Sequence, residues 1–290
     1  MNGWVVASIV IIIATVVYSY QRRLSYSIVA SVSCGAIFVI TILASDTFDV
    51  IYSSTFADLA FRPRDLLDFG RSYTVLTSMF THAGPEHLIW NILGLAFLGT
   101  MFEQKVGTRP FIIVFMISGV CGTLAFAALG WNHLTAAVGA SGAISGVLGA
   151  LGRMFPNERV AFILMPTFPM PIWVFILGYL GLQLIFALGD TNIAVEAHIG
   201  GLLAGMITAP YIAKLPLHKR VKRMISLNAL RRLANTPELK LILRRIEDEE
   251  IPDVRSAWIE EFLSKANCPH CGARIRVSRE SITCERGHML

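Results

Sequence analysis

Four polar side chains stand out within stretches of the sequence that are otherwise apolar: Ser141, His198, His87 and Asn91. A serine hydroxyl is a weak nucleophile until a base removes its proton, and histidine is the usual base at neutral pH. Ser141 paired with His198 would therefore suit nucleophilic attack on an acyl group. The oxyanion formed in such a reaction needs preorganised donors, which His87, Asn91 and the backbone N–H of Ser141 would supply.

The elements that carry these residues are predicted to span a membrane. Of the 290 residues, 54% are hydrophobic and 16% are charged, with a mean hydropathy of +0.59, whereas a soluble domain has roughly 25% charged residues. A bilayer needs about 20 apolar residues per helix. Seven segments approach that length: 3–20, 27–45, 87–102, 110–129, 139–155, 171–188 and 194–212. The first lacks a basic n-region and a convincing cleavage site, so we expect a retained helix instead of a signal peptide.

The distribution of basic residues predicts how these helices are oriented. Lys and Arg mark the cytoplasmic side of a membrane protein. Eleven basic residues follow alternate helices and would lie on one side if the seven helices alternate: Arg22, Arg23, Lys105, Arg109, Arg153, Arg159, Lys214, Lys219, Arg220, Lys222 and Arg223. The long loop 46–86 on the other side is acidic on balance. We therefore expect the N-terminus outside and the C-terminus in the cytoplasm, and the net charge of +5 requires no nucleic-acid partner.

The four polar residues share one predicted depth. His87 and Asn91 lie one turn apart on one helix face, Ser141 opens the fifth segment, and His198 lies about one turn inside the seventh. Each would sit roughly 5–12 Å below the outer surface, given the rise of a helix. Small residues at three- and four-residue spacing let two helices approach closely, and the fifth and seventh segments carry such sets: Gly142, Gly146, Gly149, Gly201 and Gly205.

These motifs resemble those of the rhomboid family over residues 27–213. Gly139-Ala140-Ser141-Gly142 is similar to the family's GxSG nucleophile motif. Further matches are the HxxGxxxG set His198, Gly201 and Gly205, the HxxxN pair His87 and Asn91, the preceding His82, and the series Gly99, Glu103 and Gly107. The resemblance implies an all-α, polytopic membrane protein: a six-helix rhomboid-like bundle preceded by one extra N-terminal transmembrane helix.

The resemblance also implies a function, namely cleavage of single-span membrane proteins near the outer leaflet by a Ser141–His198 dyad, without a catalytic cofactor. Two positions depart from the family pattern. Tyr73-Thr74 stands where Trp-Arg is common in the first external loop, and Ser145 replaces an aromatic residue that packs against the catalytic histidine. Ser145 is expected to bond back to its own helix, so the sequence names no residue that orients the His198 ring.

The C-terminal segment carries a different kind of site. Cys268 and Cys271 are separated by twelve residues from Cys284, and His288 follows at helical-turn spacing. A Cys₃His set of this kind suits tetrahedral Zn²⁺ and leaves no open position, so we expect a structural site in a zinc-ribbon-like hairpin. His270 is an alternative ligand. The predicted divisions are an N-terminal helix (1–26), the protease-like body (27–213), a cytoplasmic helical segment (214–266) and the zinc ribbon (267–290), which is a candidate surface for a cytoplasmic partner.

Two other functional classes fit parts of the sequence. A catalytically inactive rhomboid-like protein that binds membrane clients would be expected to lose Ser141 or His198, and both are present. A small-solute transporter would be expected to have inverted repeats and broken helices that reach the midplane, whereas this polar cluster is shallow and one-sided. The expected partners are thus the lipid bilayer and transmembrane substrates.

Overall fold

The computed structural model describes residues 2–22, 24–45, 49–130, 136–162, 165–189, 193–214, 227–249, 252–277 and 282–289. The chain forms two compact units, Met1–His218 and Lys219–Leu290. The finer division at residues 26, 213 and 266 remains a prediction. Arg23, Asp46 and the basic positions between 215 and 226 lie outside the described residues.

Each of the seven predicted apolar segments is helical in the described part of the first unit. The helices of this unit are α1 (Gly3–Arg22), α2 (Tyr26–Leu43), α3 (Ser54–Leu59), α4 (Thr74–Thr77), α5 (Pro85–Gly94), α6 (Thr100–Val106), α7 (Thr108–Leu129), α8 (Ser141–Met154), α9 (Ile172–Leu188) and α10 (Val195–Lys214). Among the described residues, α1, α2 and α7 are long and apolar enough to cross a membrane, and α9 is a shorter apolar helix. The predicted fold class, an all-α polytopic membrane protein, is confirmed.

The third predicted span is not a uniform helix. α5 passes into α6 through a π-helical turn, Leu95–Gly99, which adds a residue per turn and rotates the two ends relative to each other.

Near the end of α6, the Glu103 carboxylate caps the start of α2. It accepts hydrogen bonds from the backbone N–H groups of Tyr26 at 2.7 Å and Ser27 at 2.9 Å. The first N–H groups of a helix have no intrahelical acceptor, so this carboxylate satisfies them and ties α2 to α6.

The long loop between α2 and α5 contains several short helical turns and one ionic anchor. Besides α3 and α4, it holds 3₁₀ turns at Val50–Tyr52, Pro63–Leu67, Phe69–Arg71 and Ser78–Phe80. Arg71 Nε donates to Asp65 Oδ1 at 2.8 Å and its guanidinium also contacts Asp58 and the Ala57 carbonyl. Thr74 Oγ1 donates to the other Asp65 oxygen at 3.2 Å. Arg71 and Thr74 therefore anchor the loop in the region where the Trp-Arg pair is absent.

Glycine allows α8 and α10 to pack backbone against backbone. A methyl group placed on Gly201 would lie 2.0 Å from the Gly142 carbonyl oxygen, and one on Gly205 would lie 1.8 Å from that of Gly146. On the opposite helix, a methyl group on Gly149 would meet the Leu202 carbonyl oxygen at 2.2 Å. These distances are far inside van der Waals contact with rigid backbone atoms. The predicted small-residue packing is confirmed, and it fixes the separation of the two helices.

Gly205→Ala should therefore destabilise the first unit (the membrane unit), because the backbones of α8 and α10 must separate to admit the methyl group. Overpacking of this kind costs about 1–3 kcal/mol. Gly181→Ala on α9 is the matched control, since a methyl group there meets nothing within 4 Å. The free energy of unfolding in mixed micelles, measured by denaturant titration, checks this. Equal stability of the two variants would contradict the proposed packing constraint.

The first unit also contains a β-hairpin that the sequence patterns did not predict. Strands β1 (Arg159–Phe162) and β2 (Met165–Pro171) connect α8 to α9 and pair antiparallel, with Arg159 opposite Pro171 and Val160 opposite Met170. β2 holds three prolines in seven residues, which lack the N–H needed for a regular ladder. A two-stranded hairpin tolerates these prolines because its strands are edge strands. The prolines also explain why the sequence pattern did not predict a strand here.

The second unit comprises α11 (Leu227–Leu233), α12 (Pro237–Asp248), α13 (Pro252–Lys265) and a hairpin of β3 (Ile275–Val277) and β4 (Ile282–Cys284). α12 begins at Pro237, and the Thr236 side chain accepts a hydrogen bond from Leu239 N at 3.2 Å. One face of α12 buries its apolar residues against α11 and α13, around Ile246 and Phe262.

Candidate active site and metal site

Ser141 and His198 meet between α8 and α10. Ser141 is the first residue of α8 and His198 lies in the first turn of α10. Ser141 Oγ and His198 Nε2 are 2.7 Å apart, a hydrogen-bonding distance. The glycine packing described above holds the two helices close enough for this contact. The Ser141 backbone N–H opens its helix and so has no intrahelical acceptor.

Gly139 shapes the turn that leads into α8. Its φ of +105° lies in a region that favours glycine, and its N–H donates to the Ser78 carbonyl at 2.8 Å. A methyl group on Gly139 would lie 2.5 Å from His87 Nε2 and 3.6 Å from Asn91 Nδ2. Because Gly139 has no side chain, His87 and Asn91 of α5 can lie directly beside the segment that precedes Ser141.

His87 and Asn91 occupy one face of α5, as their spacing predicted. Asn91 is buried, and its Nδ2 donates to the His87 carbonyl at 2.8 Å. An amide nitrogen carries two hydrogens, so a second N–H remains for another acceptor. The His82 ring is also buried, 5.1 Å from the His87 ring. All four candidate residues, with His82, thus lie in one region of the first unit.

Ser145 makes the expected bond to its own helix, and a second one to α9. Its Oγ donates to the Ser141 carbonyl at 2.7 Å, and it lies 2.5 Å from the Tyr179 hydroxyl. Tyr179 therefore supplies an aromatic side chain on this side of the bundle, with its ring centroid 6.5 Å from that of His198.

Gln183 is a contact of His198 that the motif comparison did not name. Its Oε1 lies 2.9 Å from His198 Nδ1, on the side of the ring away from Ser141. The residue is 3% exposed. A sequence signal for it does exist: Gln183 is the one amide in the apolar run 172–188, and a polar group inside a membrane segment is a functional candidate by default.

The second unit brings together the four predicted metal ligands. One ligand atom from each of Cys268, Cys271, Cys284 and His288 lies within 4.8 Å of the others. Cys271 Sγ and Cys284 Sγ are 3.6 Å apart, and Cys284 Sγ is 3.3 Å from His288 Nδ1. Zn–S bonds of about 2.3 Å in a tetrahedron place two sulfurs about 3.8 Å apart, so the set has the dimensions of a metal site.

The backbone around these ligands also suits metal binding. Gly272 and Gly287 have positive φ angles and follow closely on Cys271 and Cys284, where they close tight turns. Burial raises the pKa of the Cys284 thiol, but hydrogen bonds from the backbone N–H groups of His288 and Arg286, together with those from the Cys271 and Cys268 side chains, lower the pKa to about 6. A thiolate at neutral pH is the form that binds metals.

Comparison with known proteins agrees with the fold class of the first unit. A family model described as "Rhomboid domain" matches residues 70–215, half of the chain. The chain is 32% identical over 165 residues to "Rhomboid protease GluP" of Bacillus subtilis, covering 57% of this chain and 31% of that protein. It is 31% identical over 158 residues to "Rhomboid protein 1, mitochondrial" of Saccharomyces cerevisiae, covering 52% and 45%.

A third relative, "Putative rhomboid protease YdcA" of Bacillus subtilis, is 28% identical over 143 residues, which cover 48% of this chain and 66% of that protein. The matched region spans about a third to a half of the first two relatives. Two of these three relatives are named as rhomboid proteases, and both the matched domain and the Ser141–His198 contact fall within the first unit. The chain belongs to the rhomboid family.

Proposed function

We propose that the chain is an intramembrane serine endopeptidase in which Ser141 is the nucleophile and His198 the general base. The observation that carries this proposal is the 2.7 Å contact between Ser141 Oγ and His198 Nε2 within an apolar helical bundle. A nucleophile and base at this distance form the arrangement needed for acyl transfer. In lipid, a serine and a histidine brought together from two helices are costly, and such groups are retained for function.

The reaction proceeds through an acyl-enzyme. Ser141 Oγ attacks the scissile carbonyl while His198 Nε2 takes its proton, and His198 then returns the proton to the leaving amine. The tetrahedral oxyanion receives hydrogen bonds from the Ser141 backbone N–H, Asn91 Nδ2 and His87. These donors are held in place before reaction, and so they stabilise the charge without reorganising.

Deacylation requires water beside Ser141. A cavity of about 20 Å³ adjoins this residue, lined in part by Ser78, Gly139 and Thr123. That volume is sufficient for one water molecule. The cavity thus offers a hydrolytic water a polar position next to the acylated serine.

We further propose that the site faces the extracytoplasmic side, with the N-terminus outside and the C-terminus cytoplasmic. Arg153 lies in the last turn of α8, about 18 Å from Ser141 by helical rise. Other basic residues gather at that far end: Lys105 pairs with Glu158 at 3.0 Å, and the Arg109 guanidinium lies 4.2 Å from the centroid of the Tyr20 ring. Basic residues mark the cytoplasmic side, which leaves Ser141 near the outer leaflet.

Single-span membrane proteins are the substrates that suit this position. A regular helix engages its carbonyls in internal hydrogen bonds, so the cleaved segment must unwind before Ser141 can reach it. Substrates with helix-breaking or small residues near the outer leaflet are therefore preferred.

The proposal is tested with the purified full-length chain in liposomes. We expect cleavage of a model single-span substrate and covalent labelling by a fluorophosphonate probe, with the label located on Ser141 by peptide mass spectrometry. A chain that binds the substrate but neither cleaves it nor takes the label would instead be an inactive, client-binding member of the family.

Asn91→Ala should lower kcat by roughly 10²–10³-fold, because loss of one oxyanion donor has this effect in serine proteases. The matched control is Ile89→Ala on the same helix, whose side chain is exposed on the outer face of the bundle. Steady-state cleavage measures both variants. An unchanged kcat in Asn91→Ala would remove this residue from the oxyanion site.

For the second unit we propose a structural Zn²⁺ bound by Cys268, Cys271, Cys284 and His288. Four soft or borderline ligands at tetrahedral spacing suit this metal, and a set of four protein ligands leaves no coordination position open for catalysis. The metal cross-links the two turns that Gly272 and Gly287 close, and it takes no part in the peptidase reaction.

A further inference from the structure

α9 is a membrane helix that buries very little of itself. Within Ile172–Leu188, the buried side chains are those of Ile172 and Gln183. Many others are exposed on the surface of the bundle, including Leu184 and Ile185, which directly follow the glutamine. A primary amide buried in apolar surroundings is costly unless it is hydrogen-bonded. On this helix, the buried amide is directed at the His198 ring.

We propose that Gln183 is a positioning residue that fixes the tautomer and orientation of His198 for catalysis. In a neutral imidazole, one ring nitrogen donates a hydrogen bond and the other accepts one. Because Gln183 Oε1 lies 2.9 Å from Nδ1, the carbonyl oxygen accepts the Nδ1–H bond. The Nε2 lone pair then faces Ser141 Oγ, 2.7 Å away, as proton transfer requires.

The same contact acts after proton transfer. Once Nε2 has taken the serine proton, the ring carries a positive charge inside an apolar helical bundle. The Gln183 carbonyl dipole points its negative end at Nδ1–H and stabilises that cation. A base oriented by a third group is the general logic of nucleophilic triads, and a neutral amide serves as the third member in some of them.

This inference rests on the proposed function and assigns to α9 a role that α8 does not provide. Ser145 on α8 has no ring to hold the imidazole, and it bonds instead to Ser141 O and to the Tyr179 hydroxyl. Tyr179 and Gln183 lie four residues apart on one face of α9. The Tyr179 bond attaches α9 to α8 independently of His198, so it offers a matched control for helix docking.

Three variants distinguish a role of Gln183 in orienting His198 from a role in packing α9 against α8. Gln183→Leu keeps the approximate size of the side chain but removes the hydrogen-bond acceptor. We expect kcat to fall about ten-fold, because one buried hydrogen bond is lost, and KM to stay within about two-fold. Gln183→Glu restores an acceptor oxygen at the same length and should recover most of kcat. Tyr179→Phe breaks the bond to Ser145 and should keep kcat within about two-fold. Wild-type kcat in Gln183→Leu, equal losses in Gln183→Leu and Gln183→Glu, or an equal loss in Tyr179→Phe would each overturn the proposal.

A spectroscopic readout tests the contact without turnover. With ¹⁵N-labelled histidine, and the His198 signals assigned by their absence in His198→Gln, the wild-type chain should show a protonated Nδ1 and an unprotonated Nε2. Gln183→Leu should show the opposite tautomer or a mixture. Identical spectra for the two proteins would overturn the positioning role, whereas a wild-type protein with the expected tautomer and no cleavage would refute the proposed function alone.

Discussion

Ser141→Ala and His198→Ala will each abolish cleavage of a single-span substrate while leaving the membrane unit folded. The expected loss in kcat is on the order of 10⁶-fold, because removing either the nucleophile or its base from a serine protease has that effect. Neither side chain is needed to pack the bundle, since the α8–α10 contact is made by glycine backbones. Turnover in liposomes, followed with a quenched fluorescent substrate, measures the loss.

The double variant should be no slower than either single variant. The two groups act as one unit through the 2.7 Å contact, so removing the second after the first takes away nothing further. Ser145→Ala is the matched control: it lies one turn further along α8 and does not contact His198 in the described hydrogen bonds. We expect it to stay within a few-fold of wild type.

Labelling supplies an independent check. A fluorophosphonate should label wild type and Ser145→Ala but not Ser141→Ala, with helical content and melting temperature unchanged among the three. Wild-type labelling of Ser141→Ala would show that another residue is the nucleophile.

The membrane unit was predictable from sequence because its signal is the length and spacing of apolar runs. α1, α2, α7 and α9 begin and end within about three residues of the predicted segments, since lipid permits little other than closed helices. The glycine positions on α8 and α10 were also informative. Only the smallest residue permits such close backbone approach, so their three- and four-residue repeat predicts a particular pair of faces.

Other features depend on contacts that spacing does not report. The π-helical turn at Leu95–Gly99 changes the rotation of α6 relative to α5, and it contains no proline to mark the irregularity. The β1–β2 hairpin pairs strands with irregular register around Val160 and Phe162. Neither leaves a periodic signal that a single sequence would reveal.

Gln183 illustrates the same limit at the site. Its polarity within an apolar run marks it as a functional candidate, but the rotation of α9 decides whether its amide meets His198, Ser141 or lipid. That rotation is set by the packing of α9 against α8 and α10. The sequence can therefore nominate the residue, while its partner follows only from the structure.

The purified chain should carry about one zinc ion, and removing the metal should unfold the segment that binds it. Apparent free energies of structural zinc binding are roughly 10–16 kcal/mol at neutral pH, which equals or exceeds the total stability of most folded domains, about 5–15 kcal/mol. In its described residues, the ligand segment has two three-residue strands and two tight turns, so we expect the metal to be its main cross-link. Elemental analysis after dialysis gives the stoichiometry, and protease resistance of the C-terminal segment with and without chelator reports its fold.

Matched substitutions identify the ligands. Cys268→Ser and His288→Ala should each lose the zinc, whereas Cys121→Ser, a cysteine within α7 of the membrane unit, should keep it. His270→Ala is the sharper control, because the His270 ring lies 5.8 Å from that of His288 yet is not among the clustered ligands. If His288→Ala retained zinc and His270→Ala lost it, the fourth ligand would be His270 instead of His288. A metal-free wild-type chain would refute the site, because four ligand atoms this close would then be held by the backbone turns alone.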